Sequence, residues 1–236
     1  MRLPRRALPS ALLIAPALLA AGAALYAHQV WRFRDPVRLT PAGPDVVVSP
    51  ADGVVSFVRR ADLGQVGDAA LALGDLLGTS QGSAEARAGG WVVGIAIRPF
   101  DVHYTYQPTG GTVTERGARA AARNRPLTWG QRLPLLAGQP VDLLPTAAVT
   151  GNEREAYTLA SGLGEVTVTQ IGSGTGLHLR SFIQPGMAAR AGNKASFLPE
   201  GGVVVVHWPD GLTPAVQVGD VVRGGETVVA RRPEQG

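Results

Sequence analysis

The feature that most constrains this chain is a series of short valine-rich stretches, each bounded by Gly, Pro or Asp: "DVVVSPADGVVSFV", "GWVVGIAI", "GEVTVTQIG", "GGVVVVHWP" and "ETVVARR". Brief β-branched runs between turn residues read as strands. The expected fold is mainly β, a compact sandwich or barrel-like domain with few short helices. At 236 residues and 45% hydrophobic, the chain can bury one sizeable core or two small ones. The globular part is expected over 45–232, followed by a short tail at 233–236. Helix-period stretches are few. "EARA" and "TERGARAAARN" are the best of them, and the second reads equally well as an Arg-rich loop.

A faint repeat links "IQPGMAARAG" (183–192) and "VQVGDVVRGGETVVAR" (216–231), with "GQVGDAALALGDLLG" as a third copy. Turn-strand-turn units of this kind suit small sandwich domains of the lipoyl type. Gly-bounded strands also resemble one another without any repeat.

The amino terminus carries a different signal. Arg2, Arg5 and Arg6 precede an apolar run from Ala7 to Ala27, the length of a bilayer-crossing helix. Residues 1–28 therefore read as a membrane anchor or a signal peptide. The run continues past the small residues Ala21-Gly22-Ala23, which favours a retained anchor. Pro9 and Pro16 are tolerated in membrane helices. Arg32, Arg34 and Arg38 on the far side balance the first basic cluster, so orientation stays open. Residues 29–44, with three prolines, read as an extended juxtamembrane linker.

Composition narrows the chemistry. The chain has no cysteine, which removes disulfides, thiolate metal ligands and Cys nucleophiles. Its net charge of +4 comes almost wholly from arginine, Lys194 being the only lysine, and a basic balance of this kind does not indicate a nucleic-acid partner. Asp52 sits in a Pro-Ala-Asp-Gly turn, a pattern that needs no function by itself. Asp101 and His103 stand two apart, on one face if the segment is extended, so that the carboxylate can orient the imidazole. His178 lies two before Arg180, which cannot ligate a metal, and no metal site is expected. His207 falls inside the valine strand, as packing. "IGSGTG" (171–176) lacks phosphate-loop spacing and reads as a turn.

Taken in order, "RFRDPVRLTP", "VVVSPADGVV", "RPFDVHYTYQPTGGTV", "GNERE" and "GDVVRGGETVVAR" resemble the phosphatidylserine decarboxylase family, in its short, membrane-anchored, archaeal-type proenzyme form. The resemblance spans residues 29–231. It implies that family's compact β fold and a place in phosphatidylethanolamine biosynthesis. Such proenzymes cut themselves at a Gly-Ser bond and convert the serine to a pyruvoyl group. That carbonyl forms a Schiff base with the lipid amine and accepts the electrons released with CO2. By the resemblance, Asp52 matches the aspartate that helps activate the serine, and His103 matches a histidine of proton handling. Tyr106 stands where longer members have a second histidine. Asn152-Glu153-Arg154 match an Asn-Glu-Arg motif whose next residue, usually Asn, is Glu155 here.

Aligning the family's strand on Pro209 puts the Gly-Ser pair on Gly201-Gly202. Glycine has no β-carbon from which to make a pyruvoyl, and no hydroxyl to drive the acyl shift. The expectation is a chain that neither self-processes nor carries the family cofactor, a pseudoenzyme in which Gly202→Ser restores cutting if the rest of the site is intact. Ser196 requires a shift of register, Ser173 yields too long a tail, and Lys194 has the wrong polarity for an amine-bearing lipid. Alternatives are an active carboxy-lyase using Ser173, or a non-enzymatic lipoyl-like adaptor. Expected partners are a phospholipid membrane and a phosphatidylserine-like lipid, with a second copy or an intact paralogue as protein partner. By family analogy the domain faces the cytoplasm.

Overall fold

The four valines 203–206 alternate between two cores. Val203 and Val205 pack with Phe57, Val92, Leu73 and Leu143, whereas Val204 and Val206 join Val55, Ile95, Val168 and Trp208. Successive side chains of a strand face opposite ways, so an unbroken apolar run suits a strand covered on both faces. The computed structural model, which describes residues 11–41, 43, 45–68, 71–78 and 89–233, places this strand inside a nine-stranded sheet.

In spatial order that sheet runs β10 (Ala188–Ala189), β6 (Gly111–Arg119), β7 (Arg154–Ser161), β8 (Gly164–Gly172), β12 (Gly202–Trp208), β4 (Gly90–Ile97), β2 (Gly53–Asp62) and β14 (Val221–Val222). Strand β3 (Gln65–Val66) pairs with β2, and every pairing is antiparallel. Two three-stranded sheets complete the β structure. One orders β1 (Val46–Val48), β15 (Val228–Arg231) and β13 (Thr213–Pro214); the other orders β5 (Tyr104–Tyr106), β11 (Lys194–Phe197) and β9 (Arg180–Ser181). Val47, Ala195, Val229 and Ala230 from these small sheets cover one face of the large sheet. The short helices Leu73–Leu77, Trp129–Leu136 and Ala147–Thr150 cover the other through Leu73, Leu76, Leu135 and Val149.

The mainly β expectation holds, but the sheet does not close into a barrel. Its end strands β10 and β14 are two residues long and lie at opposite limits of the order. These are the strands of the first two repeat copies: each follows a glycine turn and supplies one edge. The third copy gives β3 and then the helix Leu73–Leu77. "TERGARAAARN" is not helical, because its first half is β6, which pairs with β7 from Thr112 to Arg119. Tertiary pairing overrides a weak local helix preference there. "EARA" lies outside the described residues.

The helix Ala11–Gln29 has 19 residues and contains Pro16. Among the described residues no helix is long and apolar enough to cross a membrane. The anchor expected over 1–28 is thus not met within them: the described helix starts at Ala11 and runs on into the polar His28 and Gln29, while Arg2, Arg5 and Arg6 lie outside them. The linker does not hang free. After the turn Trp31–Phe33 it lies along the domain, with Phe33 stacked on Phe197 at 5.1 Å and the Leu39 amide donating to Glu226 at 3.0 Å.

Candidate functional site

Strand β4 ends at the centre of the site. Its penultimate residue Ala96 pairs with Val54 of β2 on one side and Val203 of β12 on the other. The entries to β2 and β12 therefore stand two strand spacings apart, about 10 Å. Asp52 precedes the first, Gly201-Gly202 opens the second, and the segment from Arg98 to His103 arches between them.

Asp52 is buried and fully occupied. Arg38 forms a two-pronged pair with it, Nη2 donating to Oδ1 at 2.8 Å and to Oδ2 at 3.0 Å, and the Gly224 amide adds a bond of 2.7 Å. Arg38 in turn donates through Nε to the Tyr106 hydroxyl at 3.2 Å and lies 5.2 Å above that ring. Tyr106 is thus the platform for the arginine that holds Asp52.

His103 is 95% buried, from a relative exposure of 5%. Its Nδ1 donates to the Pro199 carbonyl at 3.0 Å, which leaves the unprotonated Nε2 without a hydrogen-bond partner among the described residues. Burial lowers its pKa below the ordinary histidine value, while the Pro199 carbonyl pulls the other way. A neutral imidazole with one free lone pair has the form of a proton acceptor. Asp101 does not orient it. The segment is a turn rather than a strand, and the Asp101 carboxylate closes back on Arg98, accepting from its backbone N at 2.8 Å, its Nε at 2.9 Å and its Nη2 at 2.8 Å.

Gly201 turns the chain at φ +63°, with its amide bonded to the Leu198 carbonyl at 3.0 Å. Gly202 follows at φ +145°. A β-carbon at 202 would lie 2.1 Å from the Ile171 carbonyl oxygen, on the neighbouring strand β8. Position 202 thus has neither a side chain nor space for a β-carbon in this backbone. Gly202 lines a cavity of about 610 Å³ that it shares with Arg98, Arg125, Trp129, Ser173 and Glu200.

The other sequence candidates divide clearly. Ser173 lies on the cavity wall beside Gly202, because Gly172 pairs directly with Gly202; its hydroxyl bonds Thr175 at 2.8 Å. Ser196 is fully buried, locked between Thr105 at 2.6 Å and Gln170 at 2.5 Å. Lys194 pairs with Asp35, a contact that raises its pKa and keeps the amine protonated. His178 is exposed and bonds the Thr175 carbonyl at 3.0 Å. His207 is buried inside β12, and burial pushes its pKa down to about 4.

The Asn-Glu-Arg motif supports the cavity wall. Asn152 donates to the Gly172 carbonyl at 2.8 Å, and Arg154 is buried against the carbonyls of Asp75, Leu76 and Val149 at 2.7–2.9 Å. Burial, aided by the nearby Arg119 and only partly opposed by Asp75, lowers the Arg154 pKa to about 10. Glu155 leaves this cluster for an ion pair with Arg116 at 2.8 Å. Arg38, Arg125, Trp129 and Arg132 were not singled out from sequence as site residues. The charges of "RFRDPVR" were the only signal for Arg38, and they fit a linker equally well.

Comparison with known proteins identifies the family. The phosphatidylserine decarboxylase family profile matches residues 25–230. The chain belongs to the phosphatidylserine decarboxylase family. A phosphatidylserine decarboxylase proenzyme of Cereibacter sphaeroides is 31% identical over 199 residues, covering 84% of this chain and 72% of the relative. One from Paramagnetospirillum magneticum is 29% identical over 211 residues, covering 89% and 74%. This is a phosphatidylserine decarboxylase-related protein of phospholipid biosynthesis.

Proposed function

We propose that this family member does not cut itself and acts as a lipid-binding protein rather than a lyase. The observation that carries the reading is the backbone at Gly202: φ +145° with the Ile171 carbonyl 2.1 Å from any β-carbon. The gapless alignment of the valine strand puts the family's serine there. An adjacent cavity of about 610 Å³ remains, with Leu127, Leu135 and Val203 in its apolar wall and arginines at its rim. That combination suits an anionic phospholipid of the phosphatidylserine type.

Denaturing electrophoresis of the purified protein tests this. A single chain of 24.5 kDa is expected. A small carboxy-terminal fragment with a blocked amino terminus overturns the proposal.

One observation favours a second reading, an active carboxy-lyase cut at Gly172-Ser173. Ser173 lines the same cavity and its neighbour Gly172 is paired with Gly202. Ser173→Ala separates the two: only the second reading expects it to abolish a fragment beginning at residue 173. Retention by an amino-terminal anchor, with the domain in the cytoplasm, also belongs to this proposal. Membrane fractionation of the full chain tests the anchor, and recovery of a shortened soluble chain favours the signal-peptide alternative.

A further inference from the structure

The helix Trp129–Leu136 buries Leu135 but turns Trp129, Leu133 and Leu136 outward, with exposures of 72%, 59% and 46%. These positions follow the i, i+4, i+7 spacing of a single helical stripe. Trp129 and Leu136 also line the cavity beside Gly202, together with Pro99, whose neighbour Phe100 is 64% exposed. Phe100 in turn meets the end of the amino-terminal segment: its carbonyl accepts from Trp31 Nε1 at 3.3 Å, and Trp31 and Phe33 are themselves exposed. The cavity thus has exposed apolar side chains on two of its parts, Trp129 and Leu136 on the helix and Phe100 beside Pro99, the second adjoining the segment that follows the helix Ala11–Gln29.

The charges beside these side chains point in one direction. Arg98 is committed to Asp101, but among the described residues neither Arg125 nor Arg132 forms an ion pair, and Arg132 lies 5.8 Å above the Trp129 ring. Aromatic and leucine side chains with free guanidinium groups between them match a bilayer interface with negative head groups. There the apolar groups enter the acyl boundary and the arginines stay at phosphate level.

We propose that the stripe Trp129, Leu133 and Leu136, flanked by Arg125 and Arg132, is a docking face for an anionic bilayer surface, which the cavity mouth faces. The domain then lies on the membrane by its own surface, separately from any anchor. Lipid reaches the cavity without crossing water. This rests on the reading of the cavity as a lipid site and is independent of whether the chain is cut.

The absence of cysteine makes the test direct. The full chain is reconstituted in phosphatidylcholine vesicles with or without phosphatidylglycerol, with a polarity-sensitive probe on Leu133→Cys or, as control, on Gly162→Cys. Gly162 lies in the turn before β8, whose eight-step run to Gly172 puts it about 27 Å from the cavity end. The expected result is a blue shift at 133 and loss of quenching by aqueous iodide in phosphatidylglycerol vesicles, while the probe at 162 stays quenched. Arg125→Ala with Arg132→Ala is expected to weaken docking about thirtyfold, from roughly 1 kcal/mol per arginine near an anionic surface. A probe at 133 as accessible as that at 162 in both vesicle types overturns the proposal. So does shielding that ignores head-group charge and rises with the protein-to-lipid ratio, because a second copy then covers the stripe. A cut chain on the gel overturns the unprocessed reading alone and leaves the probe result standing.

Discussion

The two strands that flank the end of β4 enter it in opposite ways. On the β2 side, Asp52 accepts three hydrogen bonds and sits under Arg38, itself steadied by Tyr106 and by Glu226 at 3.7 Å. On the β12 side, two glycines pass the chain against Ile171 with no side chain to bond anything. One wall is dense with polar contacts drawn from distant parts of the chain. The other is bare backbone. The carboxylate is saturated by Arg38 and the Gly224 amide, and across the site residue 202 presents no hydroxyl. The difference shows that tight polar fixation and bare backbone meet at one end of the same strand.

If the Asp52 wall is structural in its own right, breaking it costs the most. Arg38→Met leaves a carboxylate with only 13% side-chain exposure and no bidentate partner. A loss of about 3 kcal/mol is expected, at the low end for a broken buried pair because the Gly224 amide remains. The midpoint of denaturant unfolding reads it. Arg38→Met combined with Asp52→Leu is expected to recover part of the loss, since no unpaired charge is then left buried.

On the opposite wall the cost comes from adding atoms. Gly202→Ser forces either the Ile171 carbonyl or the strand entry to move, at about 2 kcal/mol for backbone strain and overpacking. The sequence alone favoured restored cutting by this change. The geometry instead predicts a destabilised and still uncut chain, read by unfolding and by electrophoresis of one sample. Appearance of the small fragment would show that the backbone relaxes and that the Asp52 wall is competent. Gly201→Ala is milder. Nothing lies closer than 3.5 Å to its β-carbon, so only the left-handed φ of +63° opposes it, by about 1 kcal/mol.

These positions also show what was legible beforehand. The valine run announced a strand buried on both faces, because period-2 alternation leaves no polar position in such a strand. Asp52 and the two glycines stand at the strand entries on either side of β4, a juxtaposition that motif order did not give. Pairings carried by few residues were not legible. Strands β10 and β14 are two residues long, too short for any pattern, yet they decide that the sheet stays open. Arg38 reached Asp52 through an extended segment whose composition fitted a linker. The helix Trp129–Leu136 was not among the expected helices, its eight residues including Pro134, and only the fold tells which of its sides is outward.

His103 gives the finest comparison, since it touches the β12 wall through Pro199 and belongs to the same segment as Arg98 and Asp101. Its folded pKa lies below the unfolded value of about 6.5, so the unfolded chain binds the proton more readily. Stability from this group is complete above about pH 6.5 and is lost as pH falls through that value toward the folded pKa. His207 adds a similar loss in the same direction as pH falls toward its own pKa of about 4. His103→Asn keeps a donor for the Pro199 carbonyl but cannot take up a proton. The variant is expected to unfold at an unchanged denaturant midpoint near pH 8. On acidification below about pH 6.5 it should lose less stability than the parent chain, keeping the His207 share of the slope. Identical pH profiles for the two proteins would mean that His103 meets water in the folded state, and that its free Nε2 is not held for proton transfer.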